Sequence, residues 1–460
     1  MASPQVYRLE IAHLFNGLSE QEKHYSHHMA RCSRFVGRQD HLTTGFPESL
    51  PIFDFILALY QSCDGDWSSI VDEGVVTNQD MASFLEYAAT FLSNVGNYYG
   101  SGDQKFVPRL RMDALEALAT RSPRSKVLYA QFKDSIVAIP PFSLGFPGER
   151  AQSSYYPGPV AVTKNDAECI SRYMDAQHIY PENTRLRKAE DGALEILQAS
   201  VLLGESELQL GDSLSSPVVK LLKGDHAADL EKVCENLQKA NEYAANDTQR
   251  RFLAEYIESF RTGNLESYRD SQRTWISDQG PKVENIFGFV EPYRDPYGVR
   301  AEFEALVALA DPFETKLLTR LVEHSDKFIC RLPWAIAENS GKGVFEKTLF
   351  EPPDFSSIHS LAYCSSIIVP GINLPNYNDI RQDVGFKNVI IANRMAAEST
   401  AATWPFIDSD ELPTFRNHKH SAYYWWVVLH ELLGHGTGKM MIEQSTGQYN
   451  FDPGNPPTNP

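Results

Sequence analysis

Two histidines and a glutamate near the end of the chain, in His430-Glu431-Leu432-Leu433-Gly434-His435, are the residue types a hydrolytic metal site needs. Neutral imidazole nitrogens suit zinc, and a carboxylate beside the first histidine can take a proton from metal-bound water. The spacing is unusual. In an H-E-x-x-H arrangement the histidines stand at i and i+4, about 40° apart around a helix, whereas i and i+5 are about 140° apart. One ion cannot easily join both from a regular helix, so the spacing predicts a single-turn π-bulge with Gly434 absorbing the distortion. Ser421 as N-cap, the apolar run Val427-Val428-Leu429 and the glycines after His435 frame this helix. The competing reading is an ordinary buried helix with two incidental histidines.

The elements that must position these groups belong to a chain of 460 residues, long enough for two or three domains. With 42% hydrophobic and 22% charged residues it reads as a soluble globular protein, neither disordered nor fibrous. Cys32, Cys63, Cys169, Cys234, Cys330 and Cys364 are scattered, with no C-x-x-C pair, and are expected as free thiols in a reducing compartment. No signal segment or membrane-length apolar run is expected, which makes the cytoplasm the default location and leaves no membrane partner. A net charge of −18 disfavours nucleic acid and favours cationic peptides.

Along the chain, Ser19 and Glu22 form a capping box that opens a helix to about Phe35. His24, His27 and His28 lie on it and are assigned no chemistry. Helices are expected over 52–61 and 81–94. An irregular proline-rich stretch around 140–157 follows, then a helix capped by Asn165 or Asp166 and running to about Gln177. Residues 193–203 and 217–222 read as strands. Leu230, Val233, Leu237 and Ala240 repeat at helical spacing, and Asp247 opens a further helix that Gly263 closes. Strands are expected over 283–291 and 301–309, and a helix from the capping signature Asp311-Pro312-Phe313-Glu314 to about Cys330. Pro370 to Tyr377 is expected to be a shaped loop, because its prolines remove donors and constrain their neighbours. Residues 452–460 are expected to be a mobile tail.

Beyond the zinc-type motif, the segments N-Y-Y-G-S-G-D-Q-K-F-V-P (97–108), N-T-R-L (183–186), G-P-K-V-E-N-I-F-G-F-V-E-P-Y-R-D-P (280–296), P-G-I-N-L-P-N-Y-N-D-I-R-Q (370–382) and G-F-K-N-V (385–389) resemble the dipeptidyl peptidase III family of zinc exopeptidases. The resemblance implies an α+β, mostly helical fold with two lobes and a cleft. One lobe holds a small β-barrel-like core (1–311 with 357–400), and the other is a helical zinc lobe, incomplete here (312–356 with 401–460). It implies one zinc per chain, held by His430 and His435, with Glu431 as general base for the zinc-bound water that attacks the second peptide bond. Tyr293 then polarises the scissile carbonyl, and Glu291, Asn373 and Asn376 hold the substrate's α-ammonium. Glu302 and Glu304 add acidic lining. The partners are short peptides with a free N-terminus, and the protein is expected to be a monomer.

The chain departs from that pattern in one respect that touches the reaction. The family's third zinc ligand comes from a later E-E-x-x-A-E motif. This sequence has none, and after His435 its only carboxylates are Glu443 and Asp452. Ser101 and Asn378 also stand where many members carry an aromatic and an aspartate. The expectation is a zinc-dependent dipeptidyl peptidase in a C-terminally truncated form, with exposed apolar surface on the zinc lobe. The alternative is a non-catalytic peptide-binding protein or an inactive fragment.

Overall fold

The computed structural model describes residues 7, 9–43, 48–99, 103–208, 219–333, 335–337, 341–343, 353–398, 404, 406–436, 438 and 441–455. Its first part is helical. α1 (Ala12–Asn16) leads into α2 (Glu20–Thr43), whose start is the expected capping box: the Ser19 amide donates to Glu22 Oε2 at 2.8 Å and the Glu22 amide donates to Ser19 Oγ at 3.3 Å. The helix runs past Phe35 to Thr43. Helices Ser49–Ser62, Asn78–Ser93, Met112–Ala119 and Pro123–Phe132 then enclose a core of their own around Phe55, Phe84, Phe91 and Phe132.

A four-stranded sheet comes next, from β1 (Thr184–Lys188), β2 (Leu194–Ala199), β3 (Gly204–Leu208) and β4 (Val219–Asp225), in the order β1-β2-β4-β3. Helix Lys164–Ala176 covers it through Ile170, Tyr173 and Met174. Thr163, not Asn165 or Asp166, caps that helix: its hydroxyl accepts from the Asp166 amide while Asp166 accepts from the Thr163 amide. Asp166 is thus the third helical residue of a capping box rather than the cap. Pro217, at the expected start of a strand, lies outside the described residues.

The site is carried by a five-stranded mixed sheet, ordered β8-β9-β7-β6-β5, of β5 (Val283–Phe289), β6 (Phe303–Ala310), β7 (Asp354–Cys364), β8 (Gly371–Leu374) and β9 (Lys387–Ile391). It is a half-barrel with edges at β5 and β8, so the barrel-like core is open. β7 and β9 run parallel and the other pairs antiparallel. β5 and β6 are buried along almost their whole length, under α2 and the helices α3 (Ala227–Glu242), α4 (Asp247–Thr262) and α5 (Leu265–Ile276). Gly263 ends α4 in the left-handed conformation, φ 76°, as its place in the sequence predicts.

Residues 371–374 correct the expected loop. Pro370 and Pro375 bracket these four residues without interrupting them, and a strand at a sheet edge needs only one bonded side. The Asp311 signature holds: Asp311 Oδ1 accepts from the amides of Phe313 and Glu314, both at 2.9 Å, and opens α6 (Pro312–Glu323). The helical path then breaks at His324 before a short helix, Ser325–Ile329.

α7 (Leu412–Leu429) carries the motif. It begins nine residues before Ser421, with Pro413 in its first turn, so Ser421 sits inside the helix and caps nothing. Val427, Val428, Leu432 and Leu433 pack with Leu318, Phe355 and Ile390, which seats α7 against both α6 and the sheet. Trp425, Trp426 and Leu429 lie on its exposed side. No helix among the described residues is long and apolar enough to cross a membrane. The six cysteines are free. Residues 452–455 form a turn, and 456–460 lie outside the described residues.

Candidate active site

The helix widens where the spacing requires it. His430–Gly434 is a π-turn, and the His435 amide donates to the His430 carbonyl at 3.1 Å, five residues back. The extra residue per turn brings the two imidazoles to one side. Their ring centroids are 4.7 Å apart at 88°, and one donor atom from each of His430, Glu431 and His435 lies within 4.8 Å of the others. Gly434 has no close neighbour: a Cβ there would meet only His430 Nδ1, at 3.9 Å. Trp426, one turn before His430, stacks on its ring at 5.5 Å and 25°.

The same cleft, about 500 Å³, gathers residues far apart in sequence. Glu291, Tyr293 and Glu304 come from the β5–β6 hairpin, Gly371, Asn373 and Asn376 from β8 and the turn after it, and His430, Glu431 and His435 from the π-turn. Every residue expected to do chemistry here is therefore on one wall or another, except Glu302. Its carboxylate is fully buried away from the cleft, accepting from Ser366 Oγ at 2.8 Å, with the Arg294 guanidinium 3.9 Å away. Glu302 lies one residue before β6, its amide donating to the Glu291 carbonyl at 2.9 Å and its carbonyl accepting from the Val290 amide at 3.0 Å.

Glu431 is 5% exposed, and burial pushes its carboxyl up to about 7, the positive charge of Arg381 opposing the shift. Its Oε2 is buried with no hydrogen-bond partner among the described residues. Burial, His430 and Arg381 together hold the His435 ring below the ordinary histidine range, in the neutral form that a metal binds. Burial raises Glu291, while hydrogen bonding from Asn376 and Tyr293 pulls it back. Asn376 Nδ2 donates to Glu291 Oε1 at 2.9 Å. Burial and the Glu291 carboxylate raise the Tyr293 phenol, which keeps its proton and remains a donor. Asn373 donates to Asn388 Oδ1 and to the Glu431 carbonyl, while its own Oδ1 is buried without a partner among the described residues. Two acceptors on residues that line the cleft, Glu431 Oε2 and Asn373 Oδ1, are thus buried without a partner among the described residues.

Arg381 is a member of this site that sequence reasoning passed over. Its guanidinium donates to the carbonyls of Asn373 (3.5 Å), Pro375 (3.2 Å) and His435 (3.2 Å), tying the end of the π-turn to the end of β8. Gly371 is another: it sits directly against Val427 and Glu431. Both stand in the 370–382 segment, where the only signal was a cation and a glycine flanking the prolines.

The donor set fits zinc in kind, with two imidazoles, one neighbouring carboxylate and a face open to the cleft. Among the described residues neither Glu443 nor Asp452 joins it. Glu443 accepts from the Gly447 amide and Asp452 from the Gly454 amide, both in exposed turns. His24, His27 and His28 form no metal-type cluster either, and His24 and His28 stack on Tyr243.

Comparison with known proteins agrees with this architecture. The profile of Peptidase family M49 matches residues 128–460. Dipeptidyl peptidase 3 of Dictyostelium discoideum is 35% identical over 461 residues, covering 99% of this chain and 64% of that protein. The Homo sapiens protein of that name is 35% identical, covering 97% and 62%. The chain thus spans just under two thirds of the length of these curated relatives. Among solved structures, DPP III from Caldithrix abyssi superposes with a TM-score of 0.61 at 17% identity, covering 96% of this chain and 67% of that one. Dipeptidyl-peptidase III from Corallococcus sp. strain EGB gives 0.56 at 18%, covering 96% and 66%. Alike in its sequence relatives and in its fold, the chain belongs to Peptidase family M49, the dipeptidyl peptidase III family.

Proposed function

We propose that the chain is built as a zinc-dependent dipeptidyl peptidase acting on short peptides with a free N-terminus. The observation that carries this reading is the π-turn, which turns His430 and His435 to one side of the helix beside Glu431, in a cleft that also holds Glu291, Tyr293, Asn373 and Asn376. His430 and His435 would hold the ion, one per chain, and zinc when bound supplies Lewis-acid polarisation of the attacking water and the scissile carbonyl.

The protein's own residues do the rest. Glu431, with a carboxyl poised near neutrality, takes the proton from the attacking water and can return it to the leaving amine. Tyr293 donates to the carbonyl oxygen as negative charge develops there. The Glu291 carboxylate and the side-chain carbonyls of Asn373 and Asn376 receive the α-ammonium, and Glu304 adds negative charge to the same wall. Anchoring that ammonium at a fixed distance from the reacting centre makes the product a dipeptide. Residues 1–311 with 357–400 would supply the substrate-anchoring lobe and 312–356 with 401–460 the metal lobe, the two sharing β7, which spans the boundary at 356–357. The protein works as a cytoplasmic monomer.

The test is dipeptide release from a diarginyl chromogenic substrate, by the 460-residue chain and by a version extended with a family C-terminal segment carrying E-E-x-x-A-E. Release from neither, with zinc present, sinks the proposal. One observation favours a second reading for the chain as it stands: the donor set has no carboxylate besides Glu431 among the described residues. A peptide-binding protein without metal chemistry would bind short peptides by calorimetry with affinity indifferent to chelator and to Glu431→Gln.

A further inference from the structure

Three side chains from separate parts of the fold meet at the far end of the sheet. His13 comes from α1, Asp311 from the junction of β6 and α6, and His359 from β7, and one donor atom from each lies within 4.8 Å of the others. Two of the three are fixed from behind. The Asp311 amide donates to the Ser357 carbonyl at 2.9 Å, and its Oδ1 caps α6. That leaves Oδ2 with no partner among the described residues. His359 Nδ1 lies 3.5 Å from the Glu10 carbonyl, so the tautomer that donates there leaves Nε2 with a bare lone pair. The His13 and His359 rings meet edge to face at 5.4 Å.

A simple charge cluster would look different. A protonated histidine beside an aspartate pairs with it directly, yet no ion pair or hydrogen bond joins Asp311 to either ring among the described residues. The three donor atoms instead stand within 4.8 Å of one another without bonding to each other. Zinc bonds of about 2.0–2.2 Å in tetrahedral array separate neighbouring donors by about 3.5 Å, so binding would draw the Asp311 and His359 donors together as well as His13, each by less than about 1.5 Å.

We propose that His13, Asp311 and His359 form a second metal site, for a divalent transition ion of the zinc type. Two imidazoles and one carboxylate select that class over calcium or magnesium, which take all-oxygen sets. The ion would act as a staple. α1 buries none of its residues fully, so a bond from His13 to the sheet fixes a helix that packing alone holds lightly. The site stands apart from the π-turn and does not depend on the reading of that site.

The experiment uses the full chain with His430→Ala and His435→Ala, which removes the first pair, and Zn2+ alone as probe. Zinc is counted after equilibration and desalting, and melting is followed with and without Zn2+. One zinc per chain is expected, with a melting temperature that Zn2+ raises. Adding His13→Ala should abolish both, while melting in chelator stays unchanged. Asp311→Asn keeps a capping acceptor and should weaken zinc at least tenfold. Absence of zinc from the double variant overturns the proposal, as does one zinc retained through both His13→Ala and His359→Ala. Failure of the catalytic reading has a separate signature: equal zinc in the wild-type chain and the double variant.

Discussion

Gly371 and Glu431 touch so closely that a Cβ on the glycine would fall 2.8 Å from the carboxylate Oε1 and 2.7 Å from Val427 Cγ1. The edge strand β8 is therefore the back wall against which the proposed base is held, and glycine is required there for space rather than for backbone conformation. Gly371→Ala should destabilise the protein by about 1–3 kcal/mol, as overpacking does. It should also displace Glu431 and lower dipeptide release while zinc is retained. Urea unfolding, zinc content and turnover measured on one preparation separate the three effects.

Glu431→Gln removes the proposed proton acceptor and leaves the imidazoles untouched. Turnover should fall by roughly 10²–10⁴-fold in whichever form of the chain releases dipeptide. Zinc content should match wild type. Loss of zinc in this variant would make Glu431 a ligand rather than a base.

Arg381 acts at one remove from the chemistry, as a positioning residue between the π-turn and β8. Arg381→Met strands three carbonyls and should cost about 1–3 kcal/mol of stability. It should also weaken zinc binding through His435, a readout that a purely structural role would leave alone. Arg381→Lys should restore part of the zinc affinity. Zinc titrations of the three proteins, alongside their unfolding curves, make the comparison.

Calorimetry tests the ammonium anchor without needing turnover. Peptides with a free N-terminus should bind more tightly than their N-acetylated forms, and Glu291→Gln should remove most of that difference. Equal affinity for both peptides in the wild-type chain would contradict the assignment of Glu291, Asn373 and Asn376.

Much of this site could be read in advance because its decisive feature is local. The extra residue between His430 and His435 forces a wider turn whatever else the chain does, and capping boxes such as Ser19–Glu22 are equally short-range. Longer-range facts were hidden. Ser421 looked like a cap because the polar run Arg416 to His420 masks the first half of α7, whose exposed face those residues cover. β1 carries no strand signal in the sequence, because its charged residues pair across the sheet, as Arg187 does with Glu195, instead of showing apolar alternation. Glu302 and Glu304 could not be separated without knowing that Ser366, distant in sequence, and Arg294 enclose the first.

A pH test reaches the fold away from the cleft. His226 is buried, and burial lowers its ring to about 4 despite the neighbouring Asp225 carboxylate. Above pH 6.5 the ring is neutral in both states. Between 6.5 and about 4 only the unfolded chain takes up the proton, so stability falls as pH falls, by up to about 1.4 kcal/mol per pH unit. His226→Asn tolerates the left-handed backbone at φ 58° and should remove about 2 kcal/mol of the loss between pH 7 and pH 5. Urea midpoints of the two proteins at both pH values supply the comparison.

The proposed metal site needs two imidazoles five residues apart to share one ion, and anomalous diffraction at the zinc edge tests that most directly. Crystals of the chain grown with Zn2+ should show a peak about 2.0–2.1 Å from a ring nitrogen of both His430 and His435. A saturated crystal with no peak between those two rings would contradict it.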